Sequence, residues 1–213
     1  MFRVKSLLIK IHNLKLWKKI TAGIFLCLLL WYIFLLPNPL FQVPYSTTIY
    51  AENNELLGGK VASDGQWRFR ATDSISEKYF TALIQYEDKR FHYHWGVDPI
   101  AIARAIVQNI RKKEVVSGGS TLTMQTIRLA RGKQRTWSEK IVEMFWATRL
   151  EFRHSKDEIL RLYASHAPFG GNIVGIDAAT WRYFNHSAQE LTWAEAATLA
   201  VLPNAPAMIK KKK

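Results

Sequence analysis

Apolar and polar positions along the chain fall into three regimes. The first is an unbroken apolar run over 20–36, ITAGIFLCLLLWYIFLL, with no charge in its 17 positions. As a helix rising about 1.5 Å per residue it reaches roughly 26 Å, near the hydrocarbon thickness of a bilayer, with Trp31 and Tyr32 placed for an interface. It is longer than a signal-peptide core, and the small residues Ala22 and Gly23 lie at its start, where a cleavage site would not. The run predicts an uncleaved transmembrane anchor, with a buried soluble helix as the plainer alternative. Pro37, Pro39 and Pro44 forbid its continuation and stiffen the exit.

The second regime, Ser46 to Phe69, reads as β: STTIYA is rich in Thr, Ile and Tyr, NN and GG punctuate it, and SDG before QWRF is a turn. A small hairpin-like element within 37–75 is predicted. From Ser76 the period becomes helical. Phe80, Leu83 and Ile84 share one face, Asp98 and Pro99 form an N-cap and first turn, and Ile100, Ala103, Ile106, Val107 and Ile110 line one side of the following helix. Capping boxes are read at Thr136 with Glu139, Ser155 with Glu158, and Thr192 with Glu195. The domain over 76–208 is therefore expected to be mainly α, followed by a lysine-rich tail at 209–213.

Charge changes this picture. Arg3, Lys5, Lys10, Lys15, Lys18 and Lys19 precede the apolar run with no acidic residue among them, so residues 1–19 are assigned to the cytoplasmic side and 37–213 to the outer one. Without those six groups the net charge falls from +13 to +7, and Lys210 to Lys213 hold four of what is left. That balance suits anionic lipid headgroups or a phosphate-bearing lipid better than a nucleic-acid groove, and no nucleic-acid partner is expected. Apolar residues at 48% and charged ones at 22% exclude a disordered chain, and the single Cys27 excludes an internal disulfide framework or a cysteine-rich zinc site.

Candidate chemistry begins at Glu87 and Asp88, which end an apolar helix and lead into Phe91, His94, Trp95 and Gly96. The pair reads either as a solvated helix end or as a site. His92 and His94 raise a zinc reading, but no third well-spaced ligand follows. Glu143 sits inside IVEMFWATRLEF, a helix apolar nearly all round, where a carboxylate must be paired or line a polar cleft. Its plain reading is a salt bridge to Lys140 or Arg149. Its functional reading is a wall of a cleft faced by Glu87, since two opposed carboxylates suit acid/base work at a glycosidic centre. In VSGGSTLTMQ, Gly118 and Gly119 allow close backbone approach, while Ser120, Thr121, Thr123 and Gln125 offer neutral donors; a simple helix start is the alternative. Arg128, Arg131, Lys133, Arg135 and Lys140 supply cations able to neutralise phosphate. APFGGNIVG suits a loop held against a helix.

Taken in order, EDKRFHYHWG, GGSTLTMQ, KIVE, SKDEILRLY with FGG, and LAVLPNAP resemble the motifs of the peptidoglycan glycosyltransferase domain of class A penicillin-binding proteins. The match covers roughly residues 45 to 208, and TMQ, APFGG and SDGQW resemble the C-type subgroup. The resemblance implies a lysozyme-like, mainly α fold beside a small membrane-proximal β element, in a single-pass protein of the bacterial inner membrane. It implies lipid II as substrate, polymerised into a β-1,4-linked glycan with release of undecaprenyl pyrophosphate. Glu87 would be the general base and Glu143 the second acid, aiding departure of the pyrophosphate. Asp88, Phe91, His94, Thr121, Gln125, Arg128 and Lys140 match the family's substrate-binding positions. No tightly bound cofactor is implied, although Mg or Mn has a place beside the pyrophosphate. Partners would be lipid II, the growing strand, membrane lipid and other cell-wall synthesis proteins.

Three departures stand out. Glu139 replaces the family's common Arg, with Arg135 as a candidate substitute; Ser165 replaces Asn; and the chain stops at Lys213, where the family normally continues. No SxxK, SxN and KTG set is present, so penicillin binding is not expected. The short C-terminus leads to the expectation that the apolar face of Ala196, Leu199, Ala200 and Leu202 lies uncovered and weakens the domain. An inactive remnant of such an enzyme and a muramidase-like hydrolase are the competing readings.

Overall fold

The computed structural model describes residues 16–34, 36–52, 55–70, 74–114, 118–134 and 136–204, in two units, Met1–Asn38 and Pro39–Lys213. Arg3, Lys5, Lys10, Lys15, Val116, Ser117, Arg135 and the chain from 205 onward lie outside the described residues. In the first unit, α1 spans Leu16–Phe34. Lys18 and Lys19 occupy its first turn and Leu35 is not described, so its uninterrupted apolar part covers 20–34, roughly 22 Å at helical rise. Among the described residues no helix is long and apolar enough to cross a membrane. The side chains of α1 are nonetheless apolar and exposed on every side, from Ile20 through Phe25 to Leu30.

In the second unit β1 (Thr47–Tyr50) and β2 (Leu56–Lys60) form the antiparallel hairpin expected, with an irregularity between Ile49 and Tyr50. The SDG turn follows the local rule: Gly65 takes φ +77°, and Asp64 Oδ1 accepts the Gln66 N–H at 3.2 Å. β3 (Trp67–Arg68) does not extend the hairpin. It pairs in parallel with β5 (Ile173–Val174), which pairs antiparallel with β4 (Pro168–Gly170). The guanidinium of Arg68 fixes this junction by donating to the Pro44 carbonyl at 2.7 Å and to Asp64 at 3.0 Å.

The rest is helical, and the domain is mainly α as predicted. α2 (Glu77–Glu87) is capped by Ser76; a 3₁₀ turn follows at Phe91–Tyr93, then α3 (Pro99–Lys112), capped by Asp98 through the Ile100 and Ala101 N–H groups. α4 (Leu122–Arg131) is capped by Thr121 and stopped by Gly132 in the left-handed region. α5 (Trp137–Arg153), α6 (Lys156–His166), α7 (Ile176–Phe184) and α8 (Trp193–Val201) complete the set, with a closing 3₁₀ turn at Leu202–Asn204. The core joins Tyr79 and Leu83 of α2, Met124 and Ile127 of α4, Leu150 of α5, Tyr163 of α6 and Leu199 of α8.

One expectation fails here for a packing reason. The face of Ala196, Leu199, Ala200 and Leu202 is covered: α8 packs on α2, and none of the four is more than 6% exposed. Burial of each leucine stabilises by about 1.5–3 kcal/mol, so this face does not weaken the domain. Conversely Ile100, Ile106, Val107 and Ile110 form the stripe their spacing predicts, yet all are exposed, and Ala105 is the one buried residue of α3.

The capping boxes divide similarly. Ser155 with Glu158 and Thr192 with Glu195 close both reciprocal bonds. Thr136 accepts the Glu139 N–H, but the Glu139 carboxylate goes to Arg131 at 2.9 Å. Glu195 also meets His186 Nε2 at 3.1 Å, while His186 Nδ1 faces the Ser187 carbonyl at 3.0 Å. Both ring nitrogens thus point at acceptors, an arrangement that suits the imidazolium. The Ser187 carbonyl and Glu195 raise the His186 pKa above 6.5, and the Thr192 N–H and hydroxyl with His186 lower that of Glu195 to about 2. Stabilisation by His186 is full below its unfolded value and lost as pH rises through the raised one; that by Glu195 is full above 4.5 and lost as pH falls toward 2. The midpoint difference between the parent and His186→Gln should therefore be largest between pH 4.5 and 6.5 and shrink on the alkaline side; a pH-independent difference in thermal scans would contradict the pairing.

Candidate active site

Glu87 is the last residue of α2 and half-buried. Gln125 Nε2 donates to its Oε2 at 2.8 Å, and Asn204 Nδ2 donates to its Oε1. Burial pushes the Glu87 carboxyl above the ordinary range, the Asp88 charge adds to this, and the two amide donors oppose it. The Tyr163 hydroxyl makes a long 3.4 Å contact with Gln125 Oε1, an arrangement that leaves the amide nitrogen facing Glu87.

Asp88 turns inward. Its Oδ2 accepts the Leu122 N–H at 3.0 Å and faces His94 Nε2 at 3.0 Å, both side chains being buried. Phe91 is fully buried with its ring edge-on to His94. Gly96 closes the loop at φ +78°, where a Cβ would lie 2.6 Å from the Ala147 backbone, and its carbonyl accepts the Thr121 hydroxyl at 2.6 Å. The loop after Glu87 is thus stitched to the start of α4 at two points.

Glu143 is buried in α5 and has a cation partner from another helix. Arg128 donates through Nε to Oε1 at 2.8 Å and through Nη2 to Oε2 at 3.2 Å, a bidentate fork. The bridge is thus to Arg128, where local spacing pointed to Lys140 or Arg149, because α4 packs on α5 and brings Arg128 across. Gln125 and Arg128 are three residues apart on α4, so they share a face with Cβ atoms about 5–6 Å apart. One holds Glu87 and the next turn holds Glu143: the two carboxylates are gripped by adjacent positions of one helix stripe.

The remaining predicted residues take distinct places. Lys140 Nζ donates to the Gly118 carbonyl at 2.6 Å, tying α5 to the glycine loop, and Gly119, at φ +48°, comes close to Ile102 of α3. Thr121 is buried with its hydroxyl engaged by Gly96 and by the Met124 N–H, so it fixes the loop instead of facing an open cleft. Arg131 is held by Glu139. Ser165 is buried with its backbone against Gly175. The zinc reading fails, because His94 is turned onto Asp88, His92 is exposed, and among the described residues no group of three His, Cys, Asp or Glu side chains could hold a metal. Both Glu143 oxygens accept from Arg128, and among the described residues no group of His, Cys, Asp or Glu stands with it to complete a Mg or Mn site.

Asn204 is not singled out by the sequence reading, although it lies in LAVLPNAP, where a polar side chain closes an apolar helix. Glu151 and Lys156 were also missed. Lys156 Nζ donates to the His94 carbonyl at 2.7 Å and to Glu151 Oε1 at 2.8 Å, and Thr123 donates to the same oxygen at 2.6 Å.

Residues 55–213 match the family model described as Transglycosylase. Penicillin-binding protein 1C of Escherichia coli (strain K12) is 43% identical over 175 residues, which cover 82% of this chain and 23% of that protein. Penicillin-binding protein 1A of Neisseria cinerea is 38% identical over 167 residues, or 78% of this chain and 21% of its own length. The chain therefore spans less than a quarter of the curated relatives it matches. Since the matched stretch is well over half of the chain and contains both carboxylates, α4 between them and the stitched loop, the chain belongs to the transglycosylase family.

Proposed function

We propose that the protein is a peptidoglycan glycosyltransferase that polymerises lipid II with inversion at the donor carbon. The observation that carries this reading is the pair of carboxylates, from α2 and α5, held by one stripe of α4: Glu87, its pKa raised by burial, by Gln125, and Glu143 by the Arg128 guanidinium. A raised carboxylate has its basicity moved toward the working pH, which suits a general base.

In the proposed step the 4-hydroxyl oxygen of the acceptor sugar attacks the donor's anomeric carbon, its proton passes to Glu87, and the bond to the pyrophosphate oxygen breaks. The leaving group needs alignment and positive charge more than an acid. Arg128, with its side chain 24% exposed beside Glu143, and Lys140 of α5, bonded to the glycine loop, supply that charge. Asp88, Phe91, His94 and Thr121 hold the loop behind the base, and Gln125 orients the carboxylate.

The apolar helix α1 and the basic residues before it support an anchor in the bacterial inner membrane, with the second unit on the outer side, where lipid II, the growing strand, membrane lipid and cell-wall synthesis proteins would meet it. Protease added to spheroplasts should then digest residues 37–213; their protection would overturn this topology. For the reaction, the full chain in detergent is given lipid II. Elongated glycan and undecaprenyl pyrophosphate are expected. Unchanged lipid II, or release of muropeptides from finished wall, would replace the reading by a remnant or a hydrolase.

A further inference from the structure

Four segments meet at one part-buried ammonium. Lys156, in the first turn of α6, has its side chain 21% exposed, and Glu151 near the end of α5 has its side chain 6% exposed. The ammonium donates to Glu151 Oε1 and to the His94 carbonyl, and it lies 4.4 Å from the centroid of the Phe91 ring. Glu151 Oε1 in turn accepts the Thr123 hydroxyl of α4. Helices α4, α5 and α6 are thus joined to the loop that begins immediately after Glu87.

We infer that Lys156 is a positioning residue for this active site, holding the loop of residues 88–96 at the setting in which Asp88 and His94 brace Glu87. The inference rests on the proposed reaction for its kinetic consequence, and on geometry alone for its structural one. An ammonium has three donors and takes no fixed plane, so it can serve a carboxylate, a carbonyl and an aromatic face together. Its bond to the His94 carbonyl fixes the backbone of a residue whose ring meets Asp88, and Asp88 accepts the Leu122 N–H. The chain of contacts from Lys156 to the base is therefore short: His94, Asp88, Glu87. A purely structural role would consist of neutralising the buried Glu151, and the two roles separate experimentally. Glu151→Gln removes the buried charge that would be left unpaired, so Lys156→Met with Glu151→Gln should keep the fold while releasing the loop.

The experiment compares the full chain, Glu151→Gln alone and the double variant, reading the thermal midpoint, lipid II elongation, and the imidazole resonances of isotope-labelled His94, assigned by difference with His94→Gln. The double variant should melt near the parent, lose roughly 10- to 100-fold in kcat with KM for lipid II within about twofold, and show a displaced His94 ring signal. Glu151→Gln alone, which keeps the ammonium on the His94 carbonyl, should leave that signal in place. Recovery of both the rate and the His94 signal in the double variant would overturn the inference, as would displacement of the signal by Glu151→Gln alone to the same degree. Should the double variant fail to fold, the Glu151→Gln signal decides by itself: unmoved supports the ammonium, moved overturns it. If the parent does not elongate lipid II, the proposed reaction falls, and the His94 signal of the double variant still decides the positioning role, displaced in support and unmoved against.

Discussion

Glu87→Gln should abolish most glycan elongation without lowering the thermal midpoint. A positioned general base contributes about 10² to 10⁴-fold, or roughly 3–5 kcal/mol of barrier, and an amide keeps the shape of the carboxyl while accepting no proton. The stability half of the expectation follows from the sign of the shift. Burial raises the Glu87 pKa, so between 4.5 and the raised value the folded state holds a proton that the unfolded chain has released, and this group's contribution falls as pH rises through that window. Above it the fold carries a partly desolvated anion, and glutamine removes that burden. The parent's elongation rate should also fall on acidification through the raised pKa, whereas any residual rate of the variant should lack that limb. Elongation by Glu87→Gln within a factor of three of the parent, measured on lipid II at neutral pH, would remove Glu87 from the role of base.

What was legible in the sequence was whatever neighbouring residues decide. Asp98 before Pro99, Ser155 three before Glu158 and Thr192 three before Glu195 are local chemistry, and each forms the cap read for it. Glu139 shows the limit, since the same spacing from Thr136 gives half a box once Arg131 competes for the carboxylate. Periodicity found the stripe of α3 but not its direction, because which side a helix buries depends on what packs against it. The Ala196 face illustrates the converse: its cover is α2, more than a hundred residues earlier in the chain. The parallel pairing of Trp67 with Ile173 and the bond from Asn204 to Glu87 are equally non-local. For the site, apolar surroundings correctly marked Glu143 as a carboxylate in need of a partner. The partner comes from the preceding helix, which no i, i+4 argument reaches.

Arg128→Met should be the most destabilising single change at the site. The guanidinium makes both bonds to Glu143, whose side chain is 5% exposed, and methionine keeps much of the volume while removing the charge and the donors. A buried pair broken on one side costs about 3–5 kcal/mol, since the remaining ion keeps its desolvation and loses its counter-charge. Against a total of about 5–15 kcal/mol that is a large fraction, and for a domain of this size it corresponds to a midpoint drop of roughly 6–20 °C. Glu143→Gln should be milder, because Arg128 is 24% exposed and water can solvate the cation that is left. The double variant Arg128→Met with Glu143→Met removes both charges and should regain most of the loss, as replacing a buried ion pair by packed apolar side chains is often neutral or stabilising. It should remain inactive on lipid II, having lost a cation proposed to meet the pyrophosphate. If thermal scans place Arg128→Met within 2 °C or so of the parent, the bidentate bridge does not hold α4 to α5 in solution, and the stripe of α4 no longer explains how the two carboxylates are brought together.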